Sequence, residues 1–258
     1  MTRWRTIAAV AAQRFVADRN GMIVPVGFYC VVVLVIAGIW RFAAAANGGE
    51  VAGYTGDDLT WYLATTEAAM LAVSMRLISE IGTDISSGTV AVELLRPASV
   101  LGVRLTTELG RTWARLAALA LVGAVIATAA AGPPPDALAL LLAAPSLLLA
   151  SLCNLALQHA AAAAAFWVRD AGSAWFLYTK LVFIFGGMLI PLEALPGGVE
   201  RLASFLPFRA MAYAPARLAS GHVEPWLLVE QGLWCAVCII AAGAAFAAGE
   251  RRLQVVGG

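Results

Sequence analysis

The residue types that most often carry chemistry are four cysteines and two histidines, and their surroundings argue against a metal or redox site. Cys235 and Cys238 form a C-x-x-C pair, but this pair lies in an apolar run with no histidine or second pair nearby. His159 and His222 have no partner at the spacing of a zinc site. The other two cysteines also lie in apolar runs, so we expect all four to be small packing residues.

Signatures of nucleotide and hydrolase chemistry do not occur in the sequence either. There is no G-x-x-x-x-G-K-[ST] run, the loop that cradles the phosphates of ATP, and Lys180 is the only lysine. Neither histidine lies in the HExxH or GxSxG context of a hydrolase. The net charge is +1, and there is no basic tract of the kind that nucleic-acid binding needs. We therefore expect no enzymatic activity, no bound metal or cofactor and no nucleic-acid partner.

Two charged side chains, Glu67 and Lys180, fall near the middle of apolar segments long enough to cross a membrane. An isolated charge there costs about 2.5–3.5 kcal/mol on insertion scales, so we expect each to face protein or water. A contact between the two is one arrangement that would satisfy both. It could be a structural pair, which we favour, or part of a transport path. Arg41, near one end of an apolar segment, is expected to extend its guanidinium to the interface.

The elements that position these residues are membrane helices, because 61% of the chain is hydrophobic and only 13% is charged. A crossing needs about 20 apolar residues. Six segments meet that length: Met22–Ala46, Leu59–Ile78, Trp113–Ala131, Ala137–Val168, Gly172–Ile190 and Trp226–Ala248. The fourth is so long that it must tilt, bend at Pro145 or project into water. We expect an all-α membrane protein whose residues 1–258 form a single transmembrane domain.

The basic residues predict the orientation by the positive-inside rule. They are concentrated before the first segment, between the second and third, between the fourth and fifth, and after the last: Arg3, Arg5, Arg14, Arg19, Arg76, Arg96, Arg104, Arg111, Arg115, Arg169, Arg251 and Arg252. The opposite loops are acidic, apart from Arg201, Arg209 and Arg217 before the last segment. Both termini are therefore expected in the cytoplasm.

The N-terminal stretch, residues 1–21, is expected to contain a helix that lies in the membrane interface. Apolar and basic side chains intermix over Thr2–Asp18 in the way that suits such a helix. An unstructured basic tail is the alternative.

Residues 79–111 form the largest cytoplasmic piece. Ser86 or Ser87 is expected to cap a short helix that Pro97 ends, and Ser99 is expected to start the next helix. The piece is too short for a nucleotide-binding domain, but it can present a short helix to a cytoplasmic partner.

The segment Gly186–Leu218 is apolar, yet four prolines and a glycine pair interrupt it. Lipid cannot satisfy freed N–H and C=O groups, so such backbone must be covered by protein or line a cavity. This is more typical of a transport path or gate than of a passive anchor. A loop that lies on the surface without a gating role is the alternative.

Taken together, these features resemble the membrane subunit of a type-2 ABC transporter, the exporter-like permease family of bacteria. The resemblance covers nearly the whole chain, and its most specific segments are SSGTVAVELLRP (Ser86–Pro97) and GGMLIPLEALPGGVERLASFLPF (Gly186–Phe208). They look like a branch whose permeases often occur as non-identical pairs beside one ATPase. The resemblance implies six transmembrane helices, an N-terminal interfacial helix, a cytoplasmic coupling helix between helices 2 and 3, and a re-entrant helical hairpin before helix 6.

The resemblance also implies a division of labour between subunits. Two permease chains, identical or homologous, would form the path among the lipids of a bacterial inner or plasma membrane. Two copies of a cytoplasmic ATP-binding subunit would bind ATP and Mg and hydrolyse the ATP. The resemblance also implies export, while the substrate class, amphiphilic or hydrophobic, is what a path lined by Ala, Leu, Phe and Trp would suit.

Two sets of site residues follow from the matching positions. The coupling helix would include Asp84, Gly88, Glu93, Leu94, Arg96 and Pro97. The outer gate, within residues 191–225 and the glycines before them, would include Gly186, Gly187, Pro191, Glu193, Gly197, Gly198, Pro207 and Arg209.

Specific roles are expected within each set. In the coupling helix, Glu93 and Arg96 would contact the partner, while Leu94 and Leu95 would pack against the base of the third span. An ordinary amphipathic connector is the alternative there. In the gate, Pro191 would end the fifth span, the Gly197-Gly198 pair would make a turn, and Pro207 would start the return into the sixth span.

Two other functions fit parts of the sequence. A secondary transporter driven by an ion gradient would use Glu67 and Lys180 as coupling charges, but such transporters often contain internal repeats, and only one broken segment occurs here. A membrane scaffold or sensor subunit would need no ATPase. The sequence names no substrate, and it leaves both a homodimer and a heterodimer of permeases open.

Overall fold

The computed structural model describes residues 2–17, 20–95, 97–168 and 171–256, and these residues are mainly helical. The α-helices in chain order are α1 (Thr2–Ala17), α2 (Asn20–Ala46), α3 (Gly56–Ala72), α4 (Leu77–Ser86), α5 (Thr89–Glu93), α6 (Val100–Ala131), α7 (Ala137–Ala162), α8 (Ala171–Phe185), α9 (Gly197–Ser204), α10 (Phe208–Met211), α11 (Tyr213–Ala219) and α12 (Trp226–Val256). Two 3-10 turns cover Ala163–Phe166 and Leu192–Ala194, and β1 (Glu50–Val51) pairs antiparallel with β2 (Tyr54–Thr55). The all-α class expected from the sequence is confirmed.

Four helices of the described chain are long and apolar enough to cross a membrane: Met22–Ala46, Val100–Ala131, Ala137–Phe166 and Trp226–Arg252. The most apolar window of the first is only 17% buried, so its surface is free to meet lipid or another helix. Helices α3 and α8 have 17 and 15 residues. At 1.5 Å per residue they reach about 25 and 23 Å, less than the ~30 Å hydrocarbon core. These two are the shorter members of the six spans expected from the sequence.

Helix α3 connects two different ends of the helical bundle. At its start, Thr55 and Asp58 form a reciprocal capping box, and the first turns pack beside α11. At its other end, the backbone becomes extended at Val73, and α4 begins at Leu77. We call these the α11 end and the α4 end of the bundle.

The uninterrupted span expected over Leu59–Ile78 is therefore wrong in its last part. The Ser74 hydroxyl accepts a hydrogen bond from the Arg76 N–H at 3.3 Å. Such local bonds offer the backbone an alternative to the helix. The Ser74–Arg76 stretch thus separates α3 from α4.

Helix α7 packs extensively on α12. The buried Gln231 side chain of α12 accepts from the Ser146 hydroxyl at 2.7 Å and donates to the Ala210 carbonyl at 2.8 Å. Near the end of α12, a Cβ added to Gly249 would overlap the Phe166 ring. Because α4 also packs on the 3-10 turn that contains Phe166, this end of α12 lies at the α4 end.

Helix α1 packs along α6 near the α4 end. At Gly110 the two helices come so close that an added Cβ would overlap the Ala8 carbonyl group. The Arg115 guanidinium lies 4.9 Å from the Phe15 ring centroid. The N-terminal helix expected from the sequence is confirmed over Thr2–Ala17, while Asp18, Arg19 and Arg169 lie outside the described residues.

Helix α6 is one continuous element. Its N-cap is Ser99, whose hydroxyl accepts from the Gly102 N–H at 3.1 Å, as expected from the sequence. It runs for 32 residues, about 48 Å. Since this length exceeds the hydrocarbon core, its first turns project beyond the membrane or the helix tilts.

Candidate functional site

Helices α4 and α5, which we call the α4–α5 segment (residues 77–95), are tied to α6 by one arginine. Arg104 Nη1 donates to Asp84 Oδ2 at 2.7 Å, and Arg104 Nε donates to Glu93 Oε2 at 2.8 Å. The Arg104 side chain is 15% exposed, whereas those of Asp84 and Glu93 are 39% and 30% exposed. The Arg104 guanidinium on α6 thus binds one carboxylate from α4 and one from α5, both within the predicted coupling helix. Glu93, expected to face a partner protein, bonds within the chain.

Gly88 makes the turn between α4 and α5. Its φ of 80° lies in the left-handed region, where a Cβ would be strained. The cap expected at Ser86 or Ser87 is wrong, because α5 begins after Gly88 without a side-chain cap bond. Both serine hydroxyls donate backwards to α4 carbonyls, Ser86 to Thr83 at 3.0 Å and Ser87 to Asp84 at 3.3 Å. The serines therefore finish α4 and do not start α5.

The α4–α5 segment has a buried side and an exposed side. Val90 is fully buried, and Leu94 packs partly buried against the same core cluster. Val92 and Leu95 are 62% and 84% exposed. The expectation that Leu95 packs against the third span is wrong, because a helix of five residues has room for only one buried side. Apolar side chains this exposed are typical of a surface that another protein covers.

The end of α5 also differs from the expectation. The helix stops at Glu93, and the Leu95 N–H bonds to the Val92 carbonyl at 3.3 Å in a tighter turn. Pro97 comes after this turn, four positions beyond the last residue of α5. Arg96 lies outside the described residues.

Glu67 and Lys180 lie apart, so the contact that the sequence allowed does not form. Glu67 is 1% exposed, and its Oε1 has no hydrogen-bond partner within the described residues. Lys180 is exposed, and its Nζ lies 5.3 Å from the Phe176 ring centroid, a cation–π distance. Among the described ion pairs, none involves either residue.

Lys180 borders a cavity of about 230 Å³ between α3, α7 and α8, which we call the α8 cavity. Buried polar side chains form one wall of it. The Gln158 amide and the Tyr178 hydroxyl both donate to Asn154 Oδ1, at 2.8 and 2.6 Å. The Trp175 indole at the α4 end of the cavity donates to a backbone carbonyl at 2.6 Å.

Sequence reasoning missed the polar wall of the α8 cavity. Asn154 and Gln158 stand four positions apart on α7, so they lie one above the other on the same helix face. Two amides at this spacing inside an apolar helix were the available signal, because polar side chains within membrane segments are rare and usually functional or paired.

At the α11 end, Glu193 is the centre of a second network. Its Oε1 accepts from the Tyr54 hydroxyl at 3.2 Å, from the Tyr213 hydroxyl at 2.5 Å and from the Arg217 guanidinium. Arg217 Nε also donates to Glu224 Oε1 at 2.8 Å. We call these five residues the α11-end cluster. It joins the β-hairpin, the 3-10 turn Leu192–Ala194, α11 and the connection to α12.

Burial and charge set the ionisation of this cluster. Burial raises the pKa of the Tyr54 hydroxyl, and the neighbouring Glu193 raises it further. Burial also disfavours the charged form of Glu224, but the hydrogen bond and charge of Arg217, together with the Trp226 hydrogen bond and the charge of Arg209, hold the pKa of Glu224 below its usual range. At neutral pH the tyrosine is therefore a neutral donor and Glu224 a charged acceptor.

The backbone after α8 is broken, but at other residues than expected. α8 ends at Phe185, and Gly187 takes a left-handed φ of 65°. Pro191 does not end the α8 helix itself, as was expected, since the glycines end the helix earlier. The buried Tyr62 hydroxyl donates to the Gly187 carbonyl at 2.5 Å, and a Cβ on Gly186 would overlap a carbonyl oxygen of α8. These glycines allow the end of α8 to meet α3.

The turn expected at Gly197-Gly198 is also wrong, because both glycines lie in the first turn of α9. Pro196 precedes α9 and Pro207 precedes α10, with φ of −53° and −66°. Proline fixes φ near these values and is therefore suited to helix starts. Pro207 thus begins a short helix, and α11 follows before α12. Three short helices stand where a pair was expected.

Arg209, on α10, contacts side chains of α11 and α12. Its guanidinium lies 4.9 Å from the Tyr213 ring centroid and 5.3 Å from that of Trp226. Its Nη1 is 4.0 Å from Glu230 Oε2, and both side chains are 16% exposed. Arg209 is therefore a packing and ion-pairing residue next to the α11-end cluster.

The described residues contain no group of three or more His, Cys, Asp or Glu side chains that could hold a metal ion. Cys153, Cys235 and Cys238 are buried free thiols, and the sulfurs of Cys153 and Cys238 are 3.7 Å apart. His159 is buried with its Nδ1 at 2.7 Å from the Leu155 carbonyl. Burial of these side chains supports the packing role expected for the cysteines.

Comparison with known families decides between the interpretations. Residues 15–257 match the family described as ABC-2 family transporter protein. The chain belongs to the ABC-2 transporter family. No curated protein matches the chain. The resemblance seen in the sequence is thus confirmed, and this ABC-2 protein is a permease of an ABC transporter, a membrane subunit and not itself an enzyme.

The structure also bears on the other functions that the sequence allowed. Glu67 and Lys180, the charges that a transporter driven by an ion gradient would couple, are not in contact. The several apolar helices agree with a multi-pass membrane location.

Proposed function

We propose that this ABC-2 permease is the membrane-spanning subunit of an ATP-driven exporter of amphiphilic or hydrophobic substrates. Two permease chains, identical or homologous, would form the path through a bacterial inner or plasma membrane. Two copies of a separate cytoplasmic subunit would bind ATP and Mg and hydrolyse ATP. The observation that carries the proposal is the α4–α5 segment, which Arg104 ties to α6 while Val92 and Leu95 stay exposed.

The coupling step would act through this segment. An ATPase that covers Val92 and Leu95 would move α5, and the Glu93–Arg104 ion pair would pass the displacement to α6. The Asp84–Arg104 pair would make α4 move together with α5, because the same arginine binds both helices. Because α4 also packs on α7 and α8, motion of the segment would reach three membrane helices together.

Six crossings are part of the proposal: α2, α3, α6, α7, α8 and α12. An even number is supported by the position of the chain's two ends, because both α1 and the last turns of α12 lie at the α4 end. Several of the arginines counted by the positive-inside rule also lie at this end, so we place it in the cytoplasm. For α8, the backbone Gly186–Ile190 would complete the crossing.

The outer gate would be formed by residues 191–225 at the α11 end, as a re-entrant element. Its short helices leave backbone groups that lipid cannot satisfy, and packing on α3, α7 and α12 covers them. The α11-end cluster would hold the gate shut, because Glu193 and Arg217 bond to each other from different short elements. Opening would separate these charges.

The test is association with the ATP-binding subunit. Gentle extraction of the permease from its own membrane should yield a nucleotide-binding protein in stoichiometric amount. Val92→Asp or Leu95→Asp should weaken this association at least tenfold, because an exposed apolar side chain covered by a partner contributes about 1.5–3 kcal/mol. Leu202→Asp is the matched control, since Leu202 is 51% exposed at the opposite end.

Two results would overturn the proposal. One is transport by the purified chain without ATP or a nucleotide-binding subunit. The other is equal association for Val92→Asp, Leu95→Asp and the unchanged chain, which would show that the exposed side of α5 is not the docking surface.

A further inference from the structure

The α8 cavity has an apolar wall that suits a flexible chain. Its apolar side chains include Met70, Val73, Met75, Val182, Phe183 and Met188. Methionine is unbranched and polarisable, so three of them adapt to different apolar shapes. The volume of about 230 Å³ is below the ~300 Å³ at which pockets enclose a drug-sized ligand. The cavity would therefore hold one part of a ligand, and the rest would extend along the exposed face of α8.

The polar wall of the cavity offers hydrogen-bond donors. Asn154 Oδ1 already accepts two bonds, from Gln158 and Tyr178. Within the described residues, the acceptor for Asn154 Nδ2 is the Met70 sulfur, at 3.8 Å, and a thioether is a weak acceptor. The Thr179 hydroxyl donates to a backbone carbonyl at 2.9 Å. A ligand group that accepts hydrogen bonds would thus satisfy Asn154 better than the protein does.

The charges around the cavity also favour a negatively charged ligand group. The side chains that line it include the Lys180 ammonium and no carboxylate. Within the described part of the chain, Lys180 forms no ion pair, and its contact is the Phe176 ring at 5.3 Å. An unpaired ammonium in a membrane segment is unfavourable, and an anion brought to it would relieve that cost.

We propose that the α8 cavity binds an anionic amphiphile, with its acidic headgroup between Lys180 and Asn154 and the start of its apolar chain against Met70 and Phe183. The rest of the chain would lie on the exposed side of α8, where Phe176 is 58% exposed. This inference rests on the proposed function for its meaning, since it names the substrate class of the exporter. The binding itself requires no ATP.

The experiment measures binding to the full chain in a neutral detergent. The probe is a pyrene-labelled long-chain alkyl sulfonate, and the matched neutral probe is the corresponding methyl sulfone. We expect the sulfonate to bind about tenfold more tightly, the effect of one charge-assisted hydrogen bond. Lys180→Gln should remove this preference, and Lys180→Arg should keep most of it. Arg201→Gln, which removes an exposed cation that does not line the cavity, should leave it unchanged.

A second arm separates the two sources of such a headgroup. Labelled phosphatidylglycerol and phosphatidylcholine replace the single-chain probes. A Lys180-dependent preference for phosphatidylglycerol would identify a membrane lipid as ligand, and a preference confined to the sulfonate would identify a single-chain amphiphile. Either pattern supports the proposal.

Equal binding of the sulfonate and the sulfone to the unchanged chain would overturn the proposal, and this comparison does not depend on any variant folding. An equal loss of preference in Lys180→Gln and Arg201→Gln would also overturn it, because general surface charge would then explain the binding. If Lys180-dependent binding is found but no nucleotide-binding subunit associates, the proposed exporter function fails and the anion site stands. The reverse result rejects the site alone.

Discussion

Replacing Arg104 with glutamine should loosen α5 from α6 without changing any side chain that is exposed to a partner. Arg104 forms both ion pairs that hold the α4–α5 segment, at 2.7 and 2.8 Å. Glutamine is shorter and uncharged, but its helix propensity is similar to that of arginine, so the helix α6 itself should be unaffected. The expected change is therefore local to residues 77–95.

The size of the effect follows from the exposure of the three side chains. A hydrogen bond to a charged group contributes about 1.5–3 kcal/mol when buried, and an exposed ion pair about 0.2–1 kcal/mol. Here the arginine is 15% exposed and the two carboxylates are 39% and 30% exposed. We therefore assign about 1 kcal/mol to each pair, or about 2 kcal/mol together. This corresponds to a roughly 30-fold higher population of the detached segment.

Hydrogen–deuterium exchange reads this population directly. The Ala91 and Leu94 N–H groups bond to the Gly88 and Val90 carbonyls within α5, so they exchange when the segment opens. Their exchange should accelerate by roughly 30-fold in Arg104→Gln, and less in Arg104→Lys, which keeps the charge but not the forked geometry.

The control is Arg111→Gln. Arg111 pairs with Glu108 on the same helix, and its side chain is 50% exposed. Its loss should change α5 exchange less than twofold. If Arg104→Gln accelerates exchange no more than Arg111→Gln does, then Arg104 does not hold the segment, and the transmission step proposed above loses its physical basis.

Two further predictions concern packing and the α11 end. Gly110→Ala should destabilise the protein by about 1–3 kcal/mol, since the added methyl overlaps the α1 backbone. Protease sensitivity of α1 measures this, and Gly27→Ala, with open space around its Cβ, should not raise it. Glu193→Gln should lower the free energy of unfolding in detergent by about 2 kcal/mol, because it removes the charge that Arg217 and two tyrosines bind. Glu200→Gln, an exposed carboxylate on α9, should be neutral, and equal effects of the two variants would contradict the role given to the cluster.

Much of the architecture was predictable because hydropathy and helix signals are local properties of the chain. The long apolar runs appear as membrane-length helices, and the Ser99 cap appears where its sequence context indicates. The ABC-2 family also follows from sequence pattern, and the family match confirms it. These features depend on the identity of neighbouring residues and on length, so no tertiary contact is needed to infer them.

Helix ends within apolar sequence were harder to predict. Pro191 was the obvious stop signal, yet α8 ends at Phe185, and a left-handed φ at Gly187 and a hydrogen bond from Tyr62 hold the backbone that follows. The Gly197-Gly198 pair, a turn by composition, lies within a helix. Glycine permits both a turn and a helix, and the packing around it selects one.

The charge partners were decided only by the tertiary structure. Glu93 and Asp84 are 11 and 20 positions from Arg104, and Tyr54 is 163 positions from Arg217. From the sequence, Glu93 was expected to face a partner and Glu67 was free to contact Lys180. Position along the chain indicates how deep a charge lies in a membrane segment, but not which side chains pack beside it. In the fold, helix packing decides which charges come within bonding distance, so Arg104 takes both carboxylates and Lys180 faces a cavity. The chain's composition and periodicity thus determined a multi-helix membrane protein, its segments matched the ABC-2 family, and non-local packing determined where its charges act.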